Sequence, residues 1–125
     1  MLRPTRQPDR GSTTLTTVML TPVFVVIAFA AFQAAMWTHA RTEARSVARD
    51  AAALVARNGH DPAAVESSAE ATLRASADLE RPDVEITPRG QFVVVRVTGR
   101  APGIIRGTSS PIEVVEAMPI EGFRP

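Results

Sequence analysis

The side chains that usually carry catalysis or bind metal ions are few in this chain and are scattered along it. His39 and His60 are the two histidines, and no carboxylate pattern surrounds them at ligand spacing. Ser109 and Ser110 could supply a nucleophile, but no glycine elbow and no base at a motif spacing accompany them. The sequence has no cysteine, which excludes disulfides, thiolate metal sites and a cysteine nucleophile. We therefore expect no catalytic residue, no metal site and no cofactor, and a protein that is not an enzyme.

The overall charge gives no sign of a nucleic-acid surface. The formal net charge is +1, and all 14 basic residues are arginines. A basic footprint for phosphates would need a larger excess of positive charge. The low aromatic content and the absence of tyrosine also argue against a surface for stacking bases. We expect no nucleic-acid partner.

Arg41, Arg45 and Arg49 form a regular array of charged side chains, because steps of four place them on one face of a helix. Such a stripe could meet anionic lipid headgroups or an acidic partner subunit. It is equally consistent with a solvated helix face that has Glu43 and Asp50 nearby. The sequence leaves these alternatives open.

The element that must position this stripe is an apolar segment directly before it. No Asp, Glu, Lys or Arg occurs between Arg10 and Arg41, and about 20 apolar residues in a helix span a hydrocarbon core of about 30 Å. We predict that residues 16–38 form a membrane segment. Trp37, His39 and Arg41 then stand where an interfacial aromatic side chain and a snorkelling cation belong. The threonines near the start of the segment can donate hydrogen bonds to carbonyls of their own helix, which lowers the free-energy cost of placing their hydroxyls in lipid.

The residues before the apolar segment predict its orientation. Residues 1–11 are polar, contain two prolines and three arginines, and should be unstructured. Their positive charge favours a cytoplasmic N-terminus in a single-pass protein of the cytoplasmic membrane, with the C-terminal part outside the cytoplasm. Two other readings of the segment are a plain anchor and a secretory signal cleaved after Ala30 in the A-x-A pattern Ala28-Phe29-Ala30. A typical signal core has about 7–15 residues, and this apolar run is longer.

Two helices are predicted after the membrane segment. Residues 39–57 are Ala-rich and free of Gly and Pro, so one helix of about 40 residues should continue from the membrane segment to a stop at Asn58-Gly59. Its small apolar residues suit close packing against a sheet or another helix. A second helix should begin at Asp61-Pro62, with Asp61 as N-cap, and run to about Ala77 as a surface helix with a weak apolar stripe. Arg81-Pro82 is predicted to break it.

From Asp83 onward the apolar residues alternate, which indicates three strands. We predict strands at 83–87, 91–98 and 112–118, a turn at Pro88-Arg89-Gly90, a loop over residues 99–111 and an irregular tail over residues 119–125. The loop contains Ile104 and Ile105, which are either tucked under the sheet or offered to a partner.

The predicted fold class is α+β, with a long N-terminal helix, a short second helix and a small three-stranded antiparallel sheet. We divide the chain into a leader (1–11), a transmembrane segment (12–38), an extramembrane continuation of the helix (39–59) and a small extracytoplasmic domain (60–125).

Several short stretches together resemble one known family. They are Arg10-Gly11-Ser12 before the apolar run, Pro22 inside it, Trp37 to Arg41 at its outer end with the Ala-rich helix beyond, Gly99 to Pro102, and the ending Glu121 to Pro125. The order helix, helix, sheet is that of a type IV pilin-like subunit. With these stretches, the chain resembles the TadE-like minor pilins, or pseudopilins, of tight-adherence (Flp-type) pilus and related secretion systems, particularly the actinobacterial versions.

The resemblance implies a structural role in pilus assembly, with other pilin-like subunits, an assembly platform and the lipid bilayer as partners. It also implies that a prepilin peptidase cuts between Gly11 and Ser12. The family usually has a glutamate at the fifth mature position, which here is Thr16. Some minor pilin-like proteins at a filament tip lack that acid, so the departure fits a minor subunit better than a major one. The alternatives from other classes are a membrane-anchored binding or sensing domain that never assembles and a secreted protein with a cleaved signal.

Overall fold

A computed structural model describes residues 10–105 and 107–121, with Arg10 described by its backbone alone. Over these residues the fold is α+β, with two helices followed by a three-stranded antiparallel sheet, as predicted. The predicted leader up to residue 9 and residues 122–125 of the predicted tail lie outside this range. The five elements in chain order are α1 (Arg10–Asn58), α2 (Pro62–Ser76), β1 (Glu80–Arg89), β2 (Phe92–Ala101) and β3 (Ser110–Pro119).

The chain divides into two compact units between Phe32 and Gln33. The described part of the first unit is helical, and its apolar side chains are exposed. By length and composition, α1 could cross a membrane. The hydroxyls of Thr16, Thr17 and Thr21 each donate to the carbonyl four residues earlier, at 2.6–2.9 Å. These polar groups are therefore satisfied within the helix, as expected for a segment in lipid.

The bounds of α1 differ from the prediction at one end and agree at the other. The helix begins at Arg10, so the last two residues of the predicted leader are helical. At the other end the predicted stop is confirmed, because Gly59 takes a left-handed φ of 64° and the His60 amide donates to Leu54 O at 3.2 Å. A side chain at position 59 would be strained in that conformation.

The predicted bounds of α2 are confirmed, whereas the residues predicted to break the helix are wrong. Asp61 has the extended backbone of an N-cap, with Pro62 next, although its side chain makes no capping hydrogen bond. The helix ends at Ser76 and the chain reverses at Asp78, which has a φ of 50°. Arg81-Pro82 therefore does not break the helix; both residues lie inside β1, beside an irregularity in its pairing with β2.

The strands are longer than predicted because proline and glycine residues assigned to turns belong to the ladder. Pro88 and Arg89 pair with Val93 and Phe92, so the first turn is confined to residues 90–91. Residues 99–101 pair with residues 110–112, so the predicted loop over 99–111 shrinks to residues 102–109. Both corrections leave the predicted order and antiparallel pairing unchanged.

The outer edge of β1 is covered by α2, which packs against this strand. Glu66 Oε1 accepts from the Ile86 amide at 2.9 Å, and Glu70 Oε1 accepts from the Val84 amide at 3.2 Å. An uncovered edge would present these donors to another strand. The weak apolar stripe of α2 is thus supplemented by two carboxylates that occupy the β1 edge.

One hydrophobic core joins α1, α2 and the sheet. From α1 it takes small side chains at intervals of four, namely Ala40, Ala44, Ala48, Ala52 and Ala56, together with Val47 and Ala51. Helix α2 adds Val65, Ala69 and Leu73, and one face of the sheet adds seven aliphatic residues: Val84, Ile86, Val93, Val95, Val97, Ile112 and Val114. The alanine face of α1 therefore packs in the core, as its composition indicated.

Candidate functional site

Residues Gln33 to Arg49 of α1 form the region where polar side chains of the helix meet β3 and the loop before it. Trp37 is half-buried beside the core, and its indole Nε1–H points to Pro111 O at 3.4 Å. The Arg41 guanidinium carbon lies 5.3 Å from the centre of the Trp37 ring. That distance allows a cation–π contact, so the aromatic ring is held by β3 on one side and by a cation of its own helix on the other.

Gln33 joins α1 to the loop over residues 102–109 (the β2–β3 loop). Its Nε2 donates to Thr108 O at 3.1 Å, and its Oε1 accepts from the Ile104 amide at 3.2 Å. Both ends of the side-chain amide are therefore used, although Gln33 lies within the segment predicted for lipid. Sequence reasoning did not single out this residue. The available signal was its amide, which stands among apolar neighbours on both sides.

Arg45 and Arg49 share one carboxylate of the sheet. Their Nε atoms both lie 3.5 Å from Glu116 Oε1, while Arg41 contacts Trp37 instead. The two arginines are about half exposed and pair with Glu116 on β3, so both alternatives left open by the sequence, a solvated helix face and a face that meets lipid or an acidic partner, stay open. Two positive charges against one negative charge leave the stripe basic, and the half-exposed arginines stay open to water or a further acidic group.

The residues predicted to be processed lie in the first turns of α1. Gly11, Ser12 and Thr16 are all exposed, and nothing stands within 4 Å of a Cβ placed at Gly11. The Thr16 hydroxyl donates to Ser12 O at 2.9 Å.

The histidines and serines do not assemble into a reactive group. His39 is exposed on α1, and His60 lies beyond the end of this helix, about 30 Å from His39 along the helix axis. The Nδ1 atom of His60 is 3.3 Å from Leu54 O. Ser109 has a structural role, since Arg100 donates to its Oγ at 3.0 Å and to its carbonyl at 2.9 Å. Among residues 10–105 and 107–121, no cluster of three His, Cys, Asp or Glu side chains could hold a metal ion.

Comparison with known proteins supports a relationship for the N-terminal part of the chain. Residues 11–53 match the family model described as TadE-like protein. The matched stretch covers the apolar run and most of the alanine face of α1, and it confirms the resemblance to TadE-like proteins over this part of the chain. The actinobacterial type stays a prediction. No curated protein and no solved structure matches the chain.

Proposed function

We propose that the chain is a minor pilin-like subunit of a tight-adherence (Flp-type) pilus or related secretion system, held in the cytoplasmic membrane by α1. In this role it is structural rather than enzymatic. Its N-terminus faces the cytoplasm, and residues beyond Arg41 lie outside. Its partners are the lipid bilayer, other pilin-like subunits, the assembly platform and a prepilin peptidase.

The observation that carries this proposal is that the two parts of α1 have different surroundings. Before Gln33 the helix exposes an uncharged apolar surface, and from Ala40 onward the same helix buries alanines in a folded core. In our proposal the first part of α1 is the membrane segment and its second part is the helix that packs in the core of the outer domain, as in a pilin-like subunit. The family match spans the junction between these two parts.

The small residues of the apolar part suit packing against like helices. In lipid there is no hydrophobic drive between helices, so association depends on close approach of their backbones. Alanines are frequent on the exposed surface before Trp37, at positions 28, 30, 31, 34 and 35. These positions are available to a neighbouring subunit in a filament or to lipid in the precursor.

Thr16 favours a minor over a major subunit. A threonine side chain carries no charge, so position 16 has no acid to pair with the amine of an incoming subunit, and its hydroxyl donates to Ser12 O within its own helix. A subunit that cannot form that pair suits a place at the end of a filament, because a terminal subunit is added once and does not have to repeat the pairing along the filament. This step rests on the resemblance to minor pilin-like proteins without the acid.

The first test is the intact mass of the protein isolated from membranes of its native host. A chain that begins at Ser12 supports prepilin processing. A full-length chain contradicts processing and favours a fixed anchor that carries a binding or sensing domain. A soluble chain beginning near Ala31 contradicts the membrane role altogether and indicates a cleaved secretory signal.

A pair of variants separates an assembling subunit from a plain anchor. Gly11→Leu should block cleavage and remove the protein from sheared pili, because a bulky side chain precedes the scissile bond. Leu15→Ile, in the same exposed part of α1, is the control and should be processed normally. An anchor would keep its full-length mass and membrane location in both variants.

A further inference from the structure

We propose that the open edge of β3, the side of this strand that faces away from β2, binds an extended segment of a partner protein. The segment adds to the sheet as a fourth strand and places an acidic side chain against Arg45 and Arg49. This surface lies among described residues of the second compact unit alone. The inference goes beyond the proposed function, because it names the chemistry of a partner and its place on the outer domain.

The two edges of the sheet differ in how their backbone groups are satisfied. At the edge of β1, two carboxylates of α2 accept from the outward amides. In β3 the even-numbered residues bond to β2, since the Ile120 amide donates to Gln91 O, so the amides and carbonyls of residues 113, 115 and 117 point away from the sheet. Over residues 10–105 and 107–121, no group accepts from these three amides. The β3 edge therefore keeps the pairing capacity that α2 removes from β1.

Two prolines bound this row of donors. Pro111 and Pro119 lack an amide N–H, and Pro111 O already accepts from the Trp37 indole at 3.4 Å. The open stretch therefore covers residues 113–117, and Val115 at its centre is 51% exposed. An extended segment of about five residues matches this length and would bond through its main chain, as peptides do when they add to a sheet edge.

The charge beside the open edge indicates which segment fits. The core face of α1 has two flanks: Asp50 and Leu54 border a cleft with α2, whereas Arg45 and Arg49 reach Glu116 of β3. The arginines therefore lie on the β3 side of the helix. A strand added at the open edge would lie about 4.8 Å beyond β3, and its side chain opposite Glu116 would point to the same face of the sheet. That side chain would be within reach of both guanidinium groups.

The two arginines leave one positive charge without a counterpart. Both Nε atoms lie 3.5 Å from the same Glu116 oxygen, and the side chains are 48% and 63% exposed. An Asp or Glu of the partner, opposite Glu116, would pair with the second guanidinium, whereas a Lys or Arg there would meet two like charges. The surface thus selects an extended segment with one acidic side chain facing α1.

A second copy of this chain does not meet that requirement. If two β3 strands pair antiparallel with Val115 opposite Val115, the residue opposite Glu116 is Val114. Valine supplies no acid to the arginines. The occupant is therefore a segment of a different protein.

The test measures hydrogen exchange at single amides by NMR, with the full chain in nanodiscs. The probe is a blocked peptide of about seven residues, threonine alternating with valine, in which glutamate replaces the central valine. Its matched control has lysine at that position. In the chain without peptide we expect fast exchange at residues 113, 115 and 117, and slow exchange at residues 114 and 116 in the ladder. The glutamate peptide should slow exchange at the three edge amides, and the lysine peptide should bind about tenfold more weakly or less.

Variants of the chain separate the backbone contact from the charge contact. Val115→Pro removes the central donor without removing a ladder bond, and should abolish peptide binding, whereas Val115→Thr keeps the donor and should bind normally. The double variant Arg45→Gln with Arg49→Gln should weaken the glutamate peptide about fivefold and remove its advantage over the lysine peptide. Arg74→Gln, at an exposed position of α2, is the charge control and should change neither.

Four results would overturn the proposal. Edge amides protected before peptide is added would show that this chain covers its own edge, or that a second copy does if the protection rises with protein concentration. The other three are no binding at about 1 mM peptide, binding that leaves residues 113, 115 and 117 in fast exchange, and equal affinity for the glutamate and lysine peptides. None of these results bears on whether α1 crosses a membrane, which the intact mass and the Gly11 variant address.

Discussion

Leu73 is the largest side chain that α2 contributes to the core. Its truncation should weaken the packing of α2 against the rest of the domain. Leu73 is fully buried, and Val65 and Ala69 are the other buried residues of α2. Replacing Leu73 with alanine removes three carbons, worth about 2.4 kcal/mol at about 0.8 kcal/mol per buried CH₂. The cavity left behind adds to this cost, so we expect a loss of about 3–4 kcal/mol in the free energy of unfolding.

The matched control is Leu54→Ala, the same substitution in the other helix. Leu54 keeps 37% of its surface exposed, so less area returns to water and no closed cavity forms. We expect a loss of about 1 kcal/mol or less. Both variants have the same change in helix propensity, which leaves burial as the difference between them.

The assay is urea unfolding of the full chain in nanodiscs, followed by the fluorescence of Trp37, the single tryptophan. Its ring reports the core side of α1 because it packs beside the core and meets Pro111 of β3. With a slope of about 1 kcal/mol per M, the midpoint should fall by about 3 M for Leu73→Ala and by about 1 M or less for Leu54→Ala. Equal shifts of the urea midpoint for the two variants would refute the reasoning. They would show that the buried side chain of α2 contributes no more to the free energy of unfolding than the partly exposed Leu54.

Three further substitutions test single features of the fold by the same assay. Gly59→Ala should cost about 1 kcal/mol because residue 59 has a left-handed φ of 64°, while Gly59→Asn should cost less. Glu66→Ala should cost about 1–3 kcal/mol, since it leaves the Ile86 amide without its acceptor, whereas exposed Glu85→Ala should be near neutral. Glu116→Gln should cost no more than about 1 kcal/mol, because both of its arginine partners are half-exposed, and 1 M salt should reduce the difference.

The elements that sequence reasoning predicted well are those whose pattern is local. The uncharged run and the alanine spacing define α1, and alternation of β-branched residues defines β2. The stop at Gly59 follows from one residue type at one position. Each of these signals lies within the element that it describes, so neither tertiary contacts nor relatives were needed to interpret it.

Proline was the main source of error in the sheet. Pro88 was read as a turn residue, yet it lies in an edge strand at a position like those of Val84 and Ile86, whose amides point away from β2. A missing N–H there removes no ladder hydrogen bond. Pro111 and Pro119 fit β3 for the same reason, since the Ile120 amide points toward β2 and odd-numbered residues point outward. Edge position is a tertiary property that a proline in a single sequence does not reveal.

The contacts of the candidate site were beyond sequence reasoning for a different reason. Gln33 meets residues 71 and 75 positions later, and Arg45 and Arg49 find a carboxylate on β3 rather than on their own helix. Such pairs depend on the register of α1 against the sheet, which no local pattern encodes. Sequence reasoning singled out both Trp37 and Arg41, and the structure shows that these two side chains are in contact, whereas their place at a membrane boundary stays a prediction.

The open edge of β3 restricts how copies of this chain could associate. Its outward amides belong to Glu113, Val115 and Ala117, and prolines at 111 and 119 bound them on both sides. This arrangement is symmetric about Val115, so two copies could in principle pair antiparallel with Val115 opposite Val115. The part of α1 from Trp37 to Ala56, however, runs in the same direction as β3, because Trp37 meets Pro111 and Ala56 O accepts from the Glu121 amide.

Antiparallel pairing of two β3 strands would therefore set the two α1 helices in opposite directions, with the Gln33 residues at opposite ends. Two copies inserted into one bilayer with the same orientation have their Gln33 residues at the same depth. Such copies cannot pair through antiparallel β3 strands. We predict that Val115→Cys forms no disulfide-linked dimer on oxidation in a bilayer. Ala31→Cys, exposed in the apolar part of α1, should form one wherever like helices pack. Efficient cross-linking through residue 115 in the bilayer would mean that the sheet edge joins subunits and that their α1 helices do not share one orientation.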